Sequence, residues 1–183
     1  EALFQSAFHV TSIITTTGLS GCDFNVWPSF SKTILFLLMI VGASAGSTGG
    51  GFKVSRLVVL VKSVKNEIQK VIHPRSIKKL HMDGRALPED LIRSILVYTG
   101  IYVLLSFASI LIVSLDNFSF ETNVSAVMAT LNNIGPGLDV VGPTGNFSAF
   151  SDVSKVVMIF DMLAGRLELI PILVLFSPQT WKK

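Results

Sequence analysis

The sequence has a single cysteine, Cys22, three histidines, and charged side chains at only 15% of its 183 positions. One cysteine cannot form a disulfide within the chain, and no Cys/His cluster has the spacing of a zinc site. Soluble domains of this length carry about a quarter charged residues. That shortage, with half of the sequence hydrophobic and a mean hydropathy of +0.62, excludes disorder, a secreted disulfide scaffold and most soluble enzymes. A secretory leader is also missing from the start. Glu1 lies inside an amphipathic segment with neither a start Met nor a basic flank, which reads as a fragment boundary.

What charge there is lies unevenly. Ten of the fifteen Lys and Arg fall between Lys53 and Arg93, although the net charge is only +3. Three apolar segments surround this stretch, at about residues 31–61, 91–115 and 148–176. A hydrocarbon core of ~30 Å needs ~20 helical residues, so each is a candidate span. The middle one is uninterrupted and carries Tyr98 and Tyr102, expected at the membrane–water interface. The first breaks in a Gly-rich run at 42–51, and the third carries Asp161, Gly165, Arg166, Glu168 and Pro171. Lys62, Lys65, Lys70, Arg75, Lys78, Lys79 and Arg85 lie between the first two spans and mark that side as cytoplasmic. Asp23, Asp116, Glu121, Asp139 and Asp152 occupy the opposite connections. The same basic residues suit contact with anionic lipid head groups, and no interleaving of aromatic and basic residues suggests nucleic acid. The expected fold is an all-α polytopic membrane protein.

Two further apolar segments, 2–15 and 120–133, are too short to cross, since fourteen helical residues reach only ~21 Å. Each runs into a polar, Gly-containing turn (TTTGLSG at 15–21, NNIGPGL at 132–138) and then into a span. That order reads as a re-entrant pore loop, because irregular backbone at membrane depth is tolerated only when buried in protein or lining an aqueous cavity. The two units are copies. Gly18 matches Gly135 at an offset of 117, while Ser31-Lys32, Met39 and Gly42 match Ser154-Lys155, Met162 and Gly165 at an offset of 123. The second external loop is thus six residues longer. Both copies enter from outside and are followed by an outward-to-inward span, so they are parallel copies that can surround one axis, unlike the inverted repeats of many carriers.

A cation leaving water needs replacement oxygen ligands, which channels supply as rings of backbone carbonyls. Thr15-Thr16-Thr17-Gly18 and Asn132-Asn133-Ile134-Gly135 suit that task. Glycine allows consecutive carbonyls to turn toward one axis, the preceding Thr and Asn can bond outward, and the helix C-terminus favours a cation. Two ordinary Gly turns at helix ends are the plain alternative.

Residues 42–51 contain seven Gly or Ala. An unwound stretch is expected, since each Gly costs about 1 kcal/mol in a helix relative to Ala. Three readings compete: close helix packing through Gly42-xxx-Gly46, a nucleophile elbow around Ser44, and a gate below the filter. The elbow needs a strand before it and a histidine partner, whereas a spanning helix precedes Ser44. Arg166 sits at membrane depth, where a charge costs at least ~2.5–3.5 kcal/mol on insertion scales. It should therefore face the cavity or a partner, either Asp161 or Glu168 in a static pair, or the carbonyls of the Gly-rich run.

The motifs FHVTSIITTTGLSG, GASAGSTGGGFKVSRL, IHPR at 72–75, NNIGPGL and AGRLELIPILVLFSPQTW together resemble the TrkH branch of the Trk/Ktr/HKT cation transporters, over essentially the whole chain. In that family one polypeptide carries four repeats of outer helix, pore loop and inner helix around one potassium pathway. The resemblance implies a partial third repeat at 1–61, a cytoplasmic connection at 62–90 and a complete fourth repeat at 91–183, with the first two repeats and the third outer helix absent. It further implies a potassium filter at Thr16, Thr17, Gly18, Asn133, Ile134 and Gly135, and a gate at Gly42, Ser44, Gly46, Gly49, Gly50, Gly51 and Arg166. Potassium would be the transported ion, with no organic cofactor. A homodimer, a cytosolic nucleotide-binding regulatory subunit and a multi-pass location in a bacterial inner membrane also follow from the likeness. The other readings are an ion-coupled secondary carrier and an intramembrane serine hydrolase using Ser44.

Overall fold

The computed structural model describes residues 1–44, 46–47, 49–73, 80–82 and 84–166. Ala45, Pro74, Arg75, Lys78 and Lys79 lie outside the described residues, as does everything from residue 167 on, including Glu168, Pro171 and the end of the third expected span. Among the described residues six helices carry the fold: α1 (Ala2–Ile14), α2 (Ser29–Ile40), α3 (Val54–Ile72), α4 (Glu89–Val113), α5 (Phe120–Leu131) and α6 (Asp152–Arg166). The strands are two minimal bridges, so the all-α expectation holds. One is parallel, between β1 (Val41–Gly42) and β2 (Phe52–Lys53); the other is antiparallel, between β3 (His81–Met82) and β4 (Arg85–Ala86).

Local chemistry explains where the helices start. Pro28 and Pro88 precede α2 and α4, where a proline is pre-set for helix entry, and Glu89 and Asp90 place negative charge in the first turn of α4. Ser119 caps α5 by accepting the Thr122 N–H. Among the described residues α4 is the one helix long and apolar enough to cross a membrane: the helical stretch from Glu89 to Asp116 holds an 18-residue window with a mean hydropathy of 2.3. The first expected span is built differently. Helix α2 stops at Ile40, the chain makes an excursion, and the parallel bridge Val41↔Phe52 and Gly42↔Lys53 brings it back before α3 begins.

Three small cores hold the elements together. Ile13, Phe24, Leu35 and Met39 join α1 to α2, and Ile134 and Leu138 of the second loop pack into the same cluster. Val113, Val127 and Met158 join α4, α5 and α6. Phe52, Tyr98, Tyr102, Leu131 and Ala164 form the third cluster. This corrects the expectation for the tyrosines. Tyr98 and Tyr102 are buried inside the protein, with the Phe52 ring 6.1 and 5.7 Å from theirs, because the bridge at β2 delivers an aromatic side chain to that face of α4.

The repeat is geometric as well as textual. Short 3-10 turns at Phe24–Val26 and Phe147–Ala149 are capped alike, Asp23 accepting the Asn25 N–H and Asn146 the Ser148 N–H, and α2 and α6 follow at matching positions. The extra residues of the second copy hold a further 3-10 turn at Asp139–Val141. In both copies the inner helix meets the end of a short helix at a glycine. A Cβ at Gly42 would lie 3.4 Å from the Ile14 carbonyl, and one at Gly165 would collide with the Leu131 carbonyl. Gly165→Ala should therefore separate α5 from α6 and destabilise the full-length protein by about 1–3 kcal/mol or more, read as a lower melting temperature in detergent. Gly100→Ala, in open space on α4, should instead stabilise it by about 0.5–1 kcal/mol.

Candidate functional site

The two polar turns leave their helices in the same way. Thr15 and Asn132 end α1 and α5 with φ/ψ of −85°/0° and −93°/1°. The next residues, Thr16 and Asn133, are left-handed at φ +56° and +55°, and Gly18 and Gly135 lie at +74° and +108°. In the first loop the N–H groups of Thr16 and Thr17 turn back to Ile13 O and Ser12 O at 3.0 and 2.9 Å. In the second, Asn133 and Ile134 repeat this with Thr130 O and Ala129 O at 3.0 and 2.9 Å. Left-handed backbone at a threonine or an asparagine is uncommon, so finding it twice at equivalent positions marks a shared conformation.

The loops also meet. A Cβ at Gly18 would collide with the Ile134 carbonyl, so only glycine fits there. Thr16 and Thr17 of one loop and Asn133, Ile134 and Gly135 of the other line one cavity of about 490 Å³, walled by Met158 and Met162 of α6. Side chains hold the loops from behind. Asn133 Nδ2 donates to Met162 O at 3.0 Å, and Thr15 Oγ1 bonds Thr17 Oγ1 at 2.8 Å.

The Gly-rich excursion presses on both loops. A Cβ at Gly49 would sit 3.3 Å from Thr16 Oγ1, and one at Gly50 would collide with the Asn132 carbonyl. Gly51, at φ +88°, faces the Asn132 side chain. Ala43 N–H donates to Ile14 O at 3.1 Å, which ties the start of the excursion to the end of α1. Gly46 has φ +82° and open space around it, so it is no helix-packing residue and the Gly42-xxx-Gly46 reading fails. Ser44 is exposed, accepting the Ser47 N–H at 3.1 Å in a turn that follows helix α2 and a two-residue bridge, without the strand–turn–helix of a nucleophile elbow.

Arg166 is exposed at the end of α6, and among the described residues no hydrogen bond or ion pair joins it to Asp161 or to the excursion. Asp161 instead accepts from Ser109 Oγ at 2.8 Å; it is wholly buried, and its Oδ2 has no partner. Among the described residues no group of three or more His, Cys, Asp or Glu could hold a metal ion. Backbone carbonyls, side-chain amides and threonine hydroxyls are what the loops offer to the cavity.

A family model described as "TrkH: Cation transport protein" matches residues 1–183. The chain belongs to the TrkH family. It is 38% identical over 181 residues to the Trk system potassium uptake protein TrkH of Salmonella typhimurium, covering 99% of this chain and 37% of that protein. The Escherichia coli K12 protein of the same name is 37% identical over 179 residues, with 98% and 37% covered. The crystal structure of the potassium transporter TrkH from Vibrio parahaemolyticus superposes with a TM-score of 0.88 at 35% identity, over 99% of this chain and 38% of that one. The chain thus spans little more than a third of the length of these relatives.

Within this TrkH-family chain three contacts had no sequence signal, because their partners are far apart or carry no motif. Tyr102 Oη donates to Asn132 Oδ1 at 3.0 Å. His9 is buried between Gln5 O at 2.7 Å and Cys22 O at 3.3 Å, edge-on to Phe24 and Trp27, which makes it a strut of the first loop. Asn25 clamps the longer loop of the second copy: its Oδ1 accepts the Asp139 N–H at 2.9 Å and its Nδ2 donates to Asp139 O at 3.1 Å.

Asp139 itself sits over the start of α5. Hydrogen bonds from the Ser119 hydroxyl, and then from Thr122 Oγ1 at 2.7 Å, hold its carboxyl below the usual carboxylate range. A folded value below the unfolded one near 4 contributes stability above pH ~4, and that contribution disappears as pH falls through the folded value. Melting temperatures of the full-length protein from pH 3 to 7 should show this acid limb. Asp139→Asn should flatten it and lower the melting temperature at pH 7.

Proposed function

We propose that this chain forms two quarters of a potassium uptake pathway, with the carbonyls of Thr16, Thr17, Asn133 and Ile134, turned by Gly18 and Gly135, as its part of a selectivity filter. The single observation that carries this reading is that two loops with left-handed residues at the same two positions touch each other and line one cavity. The relatives' names, potassium uptake proteins of a Trk system, supply the ion. In this reading residues 1–61 are the pore helix, filter and inner helix of a third repeat, 62–90 a cytoplasmic connection and 91–183 the fourth repeat. The whole protein works as a multi-pass protein of a bacterial inner membrane, as a homodimer, with a cytosolic nucleotide-binding regulatory subunit and lipid at its surface.

The excursion at Gly42, Ser44, Gly46, Gly49, Gly50 and Gly51 acts as the gate. Its support is the packing of Gly49 on Thr16 and of Gly50 on Asn132, which leaves the turn at Ser44 and Gly46 exposed. Arg166 adds a positive barrier at the same depth. Replacing it with Ala should raise rubidium flux several-fold at equal expression, and unchanged flux from a folded protein removes it from the gate.

Rubidium uptake by potassium-starved cells lacking other uptake systems tests the filter. Gly135 is the informative position, because φ +108° disfavours any side chain while nothing stands within 4 Å of its would-be Cβ. Gly135→Ser should therefore fold yet lose uptake or its preference over sodium. Equal uptake and preference at equal expression would reject the filter. An ion-coupled carrier is the second reading, favoured by Asp161, a buried acid with one unpartnered oxygen on the inner helix. Uptake that saturates, follows a proton gradient and loses that dependence in Asp161→Asn would select it.

A further inference from the structure

Asn132 is the residue on which three separate elements converge. It closes α5, it is wholly buried, and it directly precedes the left-handed Asn133. Its Nδ2 donates to Met128 O at 2.9 Å, so that half of the amide is held by its own helix. Its Oδ1 is held from outside, by the hydroxyl of Tyr102 on α4 at 3.0 Å. Its carbonyl is where Gly50 of the excursion arrives, and its side chain lies 3.4 Å from a Cβ at Gly51. Tyr102 is in turn fixed by the Phe52 ring at the end of the same excursion, 5.7 Å away, and by burial.

The first loop has no such arrangement among the described residues. At the equivalent position Thr15 donates to Thr11 O at 2.7 Å and bonds Thr17 Oγ1, so its side chain is held within its own segment. The second loop therefore depends on a hydroxyl from a different helix for its placement.

We propose that Tyr102 is a positioning residue for ion selectivity: by holding Asn132, it sets the height and direction of the carbonyls at Asn133 and Ile134, and it does so at the residue against which the Gly-rich excursion packs. This rests on the reading of those carbonyls as filter ligands. Tyr102 is buried and lies outside the lining of the cavity, so its effect is on discrimination between cations more than on folding. Removing the hydroxyl leaves Asn132 Oδ1 buried without a donor, a loss that the loop can relieve only by shifting.

The test uses the purified full-length protein in proteoliposomes, with rubidium and sodium uptake measured side by side for Tyr102→Phe, Asn132→Ala, the double variant and Gly135→Ser. Tyr102→Phe keeps the ring and should lower the rubidium-over-sodium preference about five- to tenfold at near-normal melting temperature. The double variant should be no less selective than Asn132→Ala alone, because both changes remove one interaction. An unchanged preference in Tyr102→Phe, or additive losses in the double variant, would overturn the proposal. If Tyr102→Phe does not fold, Asn132→Ala carries the same test, and a preference retained by it overturns the proposal. If Gly135→Ser shifts the preference and Tyr102→Phe does not, the filter stands and the role of Tyr102 falls. If Gly135→Ser leaves it unchanged, the filter reading fails, and the proposal with it.

Discussion

A helix that ends leaves its last carbonyls without partners of its own. Helices α1 and α5 end in matching turns, and much of the molecule disposes of those groups. The left-handed residue after each helix folds the next two N–H groups back onto three-residue-distant or five-residue-distant carbonyls. The final carbonyl needs a neighbour. Ile14 O takes the Ala43 N–H, which is free to give because α2 has already ended at Ile40. At the other copy Gly165 brings the α6 backbone against Leu131 O, where no side chain fits. Ending α2 at Ile40 and placing a glycine in α6 are thus two answers to the packing of a short helix end.

Those two answers make the copies unequal in a way their backbone does not reveal. Where the inner helix is broken, glycines 49 to 51 reach both loops, and the loop ends are coupled through backbone contact to a segment with an exposed turn. Against the second loop, α6 offers Met162 O to Asn133 Nδ2 at 3.0 Å. The placement of the small residues, more than any charged group, decides which contacts each loop makes.

The repeat, the two short helices before the polar turns and the long apolar helix α4 were legible because each rests on periodicity, length and glycine position, which are local properties. The six extra residues were legible as a change of offset, but their purpose was not. Asn25 reaches Asp139 across 114 positions, and nothing in either residue's neighbourhood announces the pairing. The tyrosines misled for a related reason. Interface placement is a sound prior for tyrosine near the end of a span, but the parallel bridge at β2 swings Phe52 onto α4, and burial of three rings outweighs wetting two hydroxyls. The bridge is two residues long and has no sequence signature.

Gly18 and Gly135 look interchangeable in the text, yet the physical need for glycine differs between them. Both have positive φ, but only at Gly18 does the space itself exclude a side chain, because the Ile134 carbonyl occupies it. Gly135 is required by conformation alone and opens onto the cavity. The contact at Gly18 therefore joins the two loops, so a displacement of one carbonyl row is transmitted to the other without any side chain between them. A loop whose Asn132 takes a hydroxyl from α4 and a loop whose Thr15 bonds within its own segment can touch because a glycine stands between them.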